Sequence, residues 1–286
     1  MNYTIHYPED AGKKFEMFRY PAGEVQVRFT PEQLDEMAGA DEIHIFARIK
    51  DGEIMGLAML KDALRLSYIP VKLFLPYLPY SRADRAFTDG DCFGLHVFAD
   101  LLNRLDFDQV ITLDAHSSIA EVEIDNLLNV SAYPFILECV GEDTGILLPD
   151  KGSTKRYPIR TNLVAEKNRD VSTGKLTGFT VPSKDAFGKT KSILLVDDIC
   201  DGGGTFIGIA EAMKDYGIEL NLYVTHGIFS RGLTWLFSRF NKIYTTDSFG
   251  TSIHAAPEDK DRLIILPCEE LMVRAAHESE IFNRGI

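Results

Sequence analysis

The chain has 286 residues, of which 45% are apolar, and a net charge of −13. No segment approaches the roughly 18 uninterrupted apolar residues of a membrane span, and the negative charge excludes a general role in binding nucleic acid or a membrane surface. The length exceeds what one hydrophobic core usually supports, so we expect two domains in a soluble protein. The first residues lack the pattern of an export signal, and we expect the protein in the cytoplasm.

Apolar runs of strand length alternate with helical patterns along the chain, which predicts parallel sheets covered by helices. The predicted strands are 43–49, 71–76, 109–113, 145–148, 192–196, 220–225, 242–245 and 263–266. The predicted helices are 56–66, 92–104, 205–216 and 232–240. A boundary near Pro134 gives two halves, 1–134 and 135–286, that each begin a new series of strands and helices.

A polar stretch, residues 152–191, predicts loops and a hairpin above the second sheet. It largely coincides with a basic run that could meet an anionic substrate in this acidic protein. A solvated, charged loop is the alternative interpretation. The basic residues are Lys151, Lys155, Arg156, Arg160, Lys167 and Arg169.

The four cysteines lie far apart, so their spacing predicts neither a zinc site nor a disulfide framework. Cys200 stands inside the most informative motif, but no neighbouring base would activate it, and we interpret it as a passive small residue.

That motif spans residues 192–205, where an apolar strand leads into acids, glycines and a helix. Glycines let backbone NH groups approach an oxyanion, and the helix start adds further unpaired NH groups. Asp197 and Asp198 can accept hydrogen bonds from sugar hydroxyls, and no Walker lysine is present, so a sugar phosphate suits the motif better than a nucleoside triphosphate. An ordinary turn and helix cap is the alternative. The rest of the motif is Asp201, Gly202, Gly203, Gly204 and Thr205.

The stretch from Asp197 to Thr205 resembles the 5-phosphoribosyl 1-diphosphate motif of type I phosphoribosyltransferases and ribose-phosphate pyrophosphokinases. Three further segments resemble the second group: 75–85 its ATP-site segment, 112–116 its strand ending in a metal-binding histidine, and 224–230 its stretch after the following strand. The similarity covers residues 20–247. It implies two tandem phosphoribosyltransferase-like domains, each a mainly parallel sheet flanked by helices, with the ATP side in 1–134 and the ribose 5-phosphate motif and catalytic loop in 135–286.

The resemblance also implies an activity, the transfer of diphosphate from ATP to the C1 hydroxyl of ribose 5-phosphate with Mg²⁺ as cofactor. Lys167 and Arg169 would be the catalytic pair, and the motif residues would bind the ribose phosphate. His116 and Asp150 would take part in the magnesium site, although a lone histidine at a strand end is often structural. We expect a homo-oligomer with the ATP site near a subunit interface. The ATP-binding residues would be Tyr20, Glu24, Arg82, Asp84 and His116.

Two of these ATP assignments have structural alternatives: Arg82 and Asp84 could form a surface ion-pair cluster, and Tyr20 to Glu24 a plain hairpin turn. The chain also departs from the family, with alanine at 22, 83 and 86 where an acid, a glutamine and a lysine are usual, and Gly202 in place of a threonine.

Because Gly202 removes a hydroxyl donor and opens the pocket, a larger 5-phosphoryl ribose such as ADP-ribose is an alternative acceptor. Two other functions are possible: a phosphoribosyltransferase that uses the diphosphate, which the ATP-like segment argues against, and a non-catalytic regulatory relative. The latter would not need the loop cations or the metal histidine, and both are present.

Overall fold

The computed structural model describes residues 1–50, 53–157, 159, 163–169, 176–250, 253 and 255–283. The side chains of Arg169, Leu176, Phe282 and Asn283, and all of Arg160 from the basic run, lie outside that description. The chain forms two compact units, Met1–Val130 with Cys268–Ile286 and Ser131–Pro267. Each has one five-stranded parallel sheet among its described residues, which confirms the predicted α/β class. Across the described ranges, every helix is too short or too polar to cross a bilayer.

The first unit is built around a parallel sheet in the order β1-β4-β5-β6-β7, with β2 and β3 forming a separate antiparallel hairpin. The central strands β4, β5 and β6 are buried on both faces, which explains why most of their residues are apolar. The elements, in chain order, are β1 (Asn2–Tyr7), β2 (Glu16–Arg19), β3 (Val25–Arg28), α1 (Pro31–Met37), β4 (Glu42–Ala47), α2 (Ile54–Ala63), β5 (Val71–Leu75), α3 (Gly94–Asn103), β6 (Gln109–Leu113), α4 (Ile119–Glu123) and β7 (Leu127–Val130).

The second unit repeats the plan with a parallel sheet in the order β14-β13-β12-β11-β8 and an antiparallel pair, β9 and β10. This pair is the hairpin predicted in the polar stretch. Because all five sheet strands are parallel, the segments that follow β8, β11 and β12 leave the sheet at one edge. The elements are α5 (Tyr133–Glu138), β8 (Thr144–Leu147), β9 (Glu166–Arg169), β10 (Leu176–Thr180), β11 (Ser192–Cys200), α6 (Gly204–Ala212), β12 (Glu219–Gly227), α7 (Thr234–Phe237), β13 (Ile243–Thr246) and β14 (Leu263–Leu266).

The last helix, α8 (Glu269–Asn283), belongs to the first compact unit, whereas the sequence analysis assigned it to the second domain. Ion pairs hold it there. Buried Lys72 on β5 contacts Glu280 and also bonds to Glu42, and Nε2 of His6 lies 3.1 Å from Oε2 of Glu269. The units divide between Val130 and Ser131, and the predicted division into 1–134 and 135–286 stays a prediction about domains.

Candidate active site

The predicted phosphate-binding motif forms a turn between β11 and α6. The strand continues through both acids to Cys200, and α6 begins at Gly204. Gly203 caps the helix with φ of 74°, and a Cβ there would lie 2.8 Å from Cδ2 of Leu236. Only glycine combines that left-handed conformation with so close an approach. The turn therefore presents backbone NH groups and the positive end of α6 to any ligand above the sheet edge.

The two acids at the end of β11 are bound by Arg156. Its Nη1 lies 2.7 Å from Oδ1 of Asp198 and 3.2 Å from Oδ1 of Asp197. Burial and the neighbouring charge of Asp198 raise the pKa of Asp197 well above its ordinary value, and Arg156 opposes that rise. Two adjacent buried carboxylates beside one guanidinium form a cluster of hydrogen-bond acceptors suited to sugar hydroxyls.

A row of hydrogen bonds connects the predicted catalytic lysine to this acid pair. Lys167 Nζ lies 3.0 Å from Oδ2 of Asp150, which follows β8. The other Asp150 oxygen accepts from the backbone NH groups of Gly152 and Ser153, at 2.9 and 3.2 Å. Ser153 Oγ then lies 3.3 Å from Oδ1 of Asp197. Lys167 and the phosphate turn are thus on the same side of this unit, as the proposed chemistry requires.

Asp150 is held in its ionised form. Burial alone would raise the pKa of this carboxyl, but the hydrogen bond and charge of Lys167, with the two backbone NH groups, outweigh burial and lower the pKa. The side chain keeps about a third of its surface exposed, so an anionic oxygen remains accessible. An ionised, partly exposed carboxylate fits part of a magnesium shell, which needs one or two protein oxygens beside substrate phosphates and water. In the described residues, no group of three or more metal-ligating side chains is present.

The hairpin that carries Lys167 is fixed against α6. Lys167 on β9 pairs with Phe179 on β10, and the Phe179 ring packs on Gly208 of α6. A Cβ at Gly208 would lie only 2.2 Å from Cε2 of Phe179, so a glycine is needed for this contact. The backbone of Arg169 lies in β9, two residues along from Lys167, and its side chain is outside the described part of the chain.

In the first unit, the predicted ATP segment lies close to the end of β6. Asp84 is buried and accepts two hydrogen bonds from Arg85, both of 2.8 Å. The pKa of Asp84 is lowered chiefly by Arg85, with smaller contributions from Ser117 and His116, which puts the segment beside the predicted metal histidine. Arg85 thus forms an ion pair with Asp84, and the side chain of Arg82 is exposed.

The segment from Tyr20 to Glu24 forms the turn of the β2–β3 hairpin. Tyr20 N donates to the Glu24 carbonyl at 2.9 Å, Gly23 N donates to the Tyr20 carbonyl at 2.8 Å, and Gly23 has φ of 97°. Both predicted adenine contacts are exposed, and the Tyr20 ring meets Phe18 edge-on at 5.4 Å. The local structure is therefore the hairpin turn considered as an alternative, and it leaves the Tyr20 ring accessible for stacking.

Sequence reasoning gave no individual role to Arg156 or Ser153 and did not consider Arg231 or Trp235. Arg156 appeared only as one of six cations in the basic run. Arg231 follows β12, and its Cδ would lie 3.3 Å from a Cβ added at Gly202. Local spacing contains no signal for these contacts, because they join segments tens of residues apart. Cys200, by contrast, is buried, and burial raises its pKa to about 12, which argues against a nucleophilic role.

The comparisons agree with this architecture. No protein-family model matches the chain. A ribose-phosphate pyrophosphokinase of Thermococcus kodakarensis is 28% identical over 260 residues, which cover 85% of this chain and 90% of that protein. Another, of Maricaulis maris, is 26% identical over 245 residues, covering 80% and 77%. The crystal structure of phosphoribosylpyrophosphate synthetase from Mycobacterium smegmatis superimposes with a TM-score of 0.73 over 99% of both chains at 18% identity.

The fold consists of two tandem phosphoribosyltransferase-like domains, and the second unit carries the glycine turn and the lysine hairpin. Relatives of one kind match most of the chain, and the structural neighbour has the same arrangement from end to end. Over most of its length the chain is similar to ribose-phosphate pyrophosphokinases, which are enzymes.

Proposed function

We propose that the enzyme transfers the terminal diphosphate of MgATP to the C1 hydroxyl of ribose 5-phosphate. The C1 oxygen forms a bond to the β-phosphorus, and the bond from that phosphorus to the α–β bridging oxygen breaks. AMP leaves with the bridging oxygen and its electron pair, and the hydroxyl proton passes to solvent. The observation that carries the proposal is the hydrogen-bonded row from Lys167 through Asp150 and Ser153 to Asp197, beside the glycine turn.

The second unit supplies the acceptor site and the cations in this reaction. NH groups of residues 201–205 would bind the 5-phosphate, and Asp197 and Asp198 would accept hydrogen bonds from the ribose hydroxyls. Lys167 and Arg169 would neutralise charge that develops on the transferred phosphoryl oxygens, which is where most stabilisation is needed in phosphoryl transfer. Lys167 already faces an anion in the structure, the Asp150 carboxylate, and can exchange it for a substrate oxygen.

The first unit would supply the nucleotide contacts. Arg82 would bind the triphosphate, Tyr20 would stack on adenine, and Glu24 would accept from the adenine amino group. Asp84 is bonded to Arg85 in the structure and would shape that segment. Asp150 and His116 would hold part of the Mg²⁺ shell, and the bound ion would neutralise ATP phosphate oxygens. We propose a homo-oligomer in which the exposed Tyr20–Glu24 turn lies near a subunit interface.

The direct test is AMP release from ATP with ribose 5-phosphate as acceptor, measured for the wild type and for Lys167→Ala. We expect the substitution to reduce kcat by about 100- to 1,000-fold, the range seen when one charge-stabilising donor is removed. The melting temperature should hardly change, because Lys167 is a partly exposed residue of a surface hairpin.

Lys189→Ala is the matched control, since Lys189 is an exposed lysine of the same unit with no role in the site. Wild-type turnover by Lys167→Ala would contradict the assignment. Failure of the wild type to release AMP with any phosphorylated ribose would favour a non-catalytic relative instead.

One observation favours a second acceptor class, the larger 5-phosphoryl riboses represented by ADP-ribose. Gly202 has no side chain where the family usually has a threonine, and the methylene carbons of Arg231 lie next to that position. A phosphodiester at the turn has less charge to satisfy than a monoester, so it depends less on the hydroxyl donor that a threonine at position 202 would supply. Comparing AMP release with ribose 5-phosphate and with ADP-ribose at equal concentrations would distinguish the two acceptor classes.

A further inference from the structure

The segment after β12 passes directly over the phosphate turn. β11 and β12 are paired through Cys200 and Gly227, and beyond the pairing Ser230 N donates to the Asp201 carbonyl at 3.2 Å. A Cβ built on Gly202 would meet Arg231 Cδ at 3.3 Å and Cγ at 3.7 Å. The Arg231 stem therefore covers the space that a threonine side chain would occupy at position 202.

The Arg231 guanidinium is a cation available to an anionic ligand. Its carbon lies 5.0 Å from the centre of the Trp235 ring, which orients it by a cation–π contact. Within the described part of the chain, Arg231 makes no ion pair, and its side chain is exposed. In a protein with a net charge of −13, an arginine that none of the described carboxylates neutralises marks a place where negative charge can be accepted.

Trp235 adds a second feature that indicates a ligand. Its Nε1 is fully enclosed and has no hydrogen-bond partner among the described residues. The same atom lies 3.4 Å from the position of a Cβ on Gly203, so it is next to the turn. Buried NH donors are almost always satisfied, and an unsatisfied one beside a phosphate-binding turn indicates a missing acceptor oxygen.

We propose that Arg231 and Trp235 form a subsite for a second phosphate, so that the acceptor class is ribose 5-diphosphate esters, of which nucleoside diphosphate riboses are examples. The inference rests on the proposed pyrophosphoryl transfer and specifies its acceptor. The phosphate attached to C5 lies at the glycine turn, near Trp235 Nε1. The next phosphate continues past Gly202 to the Arg231 guanidinium, whose planar fork can donate two hydrogen bonds to it. Ribose 5-phosphate has only the first phosphate and would be the poorer acceptor.

The test compares kcat/KM for AMP release with ADP-ribose and with ribose 5-phosphate, in the wild type and in Arg231→Ala. We expect the wild type to prefer ADP-ribose and the variant to lower the ratio of the two kcat/KM values by about 10- to 100-fold, the usual effect of losing hydrogen bonds to a charged group. Trp235→Phe keeps the ring but removes the NH donor, and it should lower kcat/KM for both acceptors.

Arg239→Ala is the control, because Arg239 is an arginine of the same unit whose charge is paired with Glu211. A ratio unchanged by Arg231→Ala, or a wild type that prefers ribose 5-phosphate, would overturn the subsite. If neither acceptor gives AMP, calorimetric binding of ADP-ribose decides the question. Binding that Arg231→Ala weakens would support the subsite while the proposed reaction fails, and absence of binding would overturn both.

Discussion

Replacing Arg156 by alanine tests whether the acid pair at the end of β11 depends on a single cation. Arg156 is 15% exposed in its side chain and is bonded to Asp197 and Asp198, which are 17% and 3% exposed. At this degree of burial solvent screens little, and removing one partner of a buried ion pair costs about 3–5 kcal/mol. The contact of 3.2 Å to Asp197 contributes less to stability than the contact of 2.7 Å to Asp198. We therefore expect Arg156→Ala to destabilise the unit by an amount near the lower end of that range.

Urea denaturation followed by tryptophan fluorescence would measure the loss. The chain has one tryptophan, Trp235, and it lies in the same compact unit as Arg156, so its emission reports the unit in which the change is made. Arg156→Lys keeps the charge without the planar fork and should lose less stability. Adding Asp197→Asn to Arg156→Ala should restore part of the loss, because it removes one of the stranded charges.

The stability lost in Arg156→Ala should also change with pH in a direction that the pKa of Asp197 determines. The pKa of Asp197 is raised in the folded state, so its contribution to stability is present below the ordinary carboxyl value of 3.8 and is lost as the pH rises through the folded value. Without Arg156, the pKa of Asp197 rises further. The loss in free energy of unfolding caused by Arg156→Ala should therefore be small in acid and grow towards neutral pH. A midpoint equal to that of the wild type at neutral pH, or no restoration by Asp197→Asn, would refute the reasoning.

Two further predictions concern other parts of the chain. The hydrogen bond to Glu269 raises the pKa of His6 against the effect of burial, so the stability it adds is present below pH 6.5 and is lost as the pH rises through the folded value. Thermal melting should therefore show His6→Asn less stable than the wild type in mild acid and equal to it in alkali; a constant difference would disprove the linkage. Gly208→Ala should displace the Phe179 ring from α6 and lower kcat for AMP release, with the loss reversed by Phe179→Leu, which makes room; full activity of the single variant would show that hairpin docking does not position Lys167.

Much of the fold could be predicted because the central parallel strands are mostly apolar. Every strand predicted from an apolar run coincides with an observed strand. The edge strands β1 and β7 were missed, since their partly exposed residues make the apolar pattern weak. The helix predicted at 232–240 is only the single turn of α7, because the Gly232 backbone has φ of 76° and delays its start.

The last helix shows why chain order is a poor guide to domain membership. The sequence of α8 has no strong apolar face to identify its partner, and the helix is held by Glu280 against Lys72 and by Glu269 against His6. Each of these ion pairs joins residues more than 200 positions apart. Only the folded chain brings such residues together, and no local pattern predicts them.

The candidate site divides in the same way between local and distant contacts. The glycine turn was found from the sequence because its residues are contiguous, whereas Arg156 reaches Asp197 from 41 positions away.

The energetic cost of burying Asp197 and Asp198 side by side argues for a role beyond folding. Burial, and then repulsion from the neighbouring Asp198 carboxylate, raise the pKa of Asp197, so the fold alone would favour a neutral side chain there. A ribose hydroxyl reverses that balance, since it donates a hydrogen bond that an ionised carboxylate accepts better than an amide does. Before the acceptor binds, Arg156 reduces the repulsion between the Asp197 and Asp198 carboxylates. Its charge therefore stabilises the second unit and also keeps both acids in place to bind the acceptor.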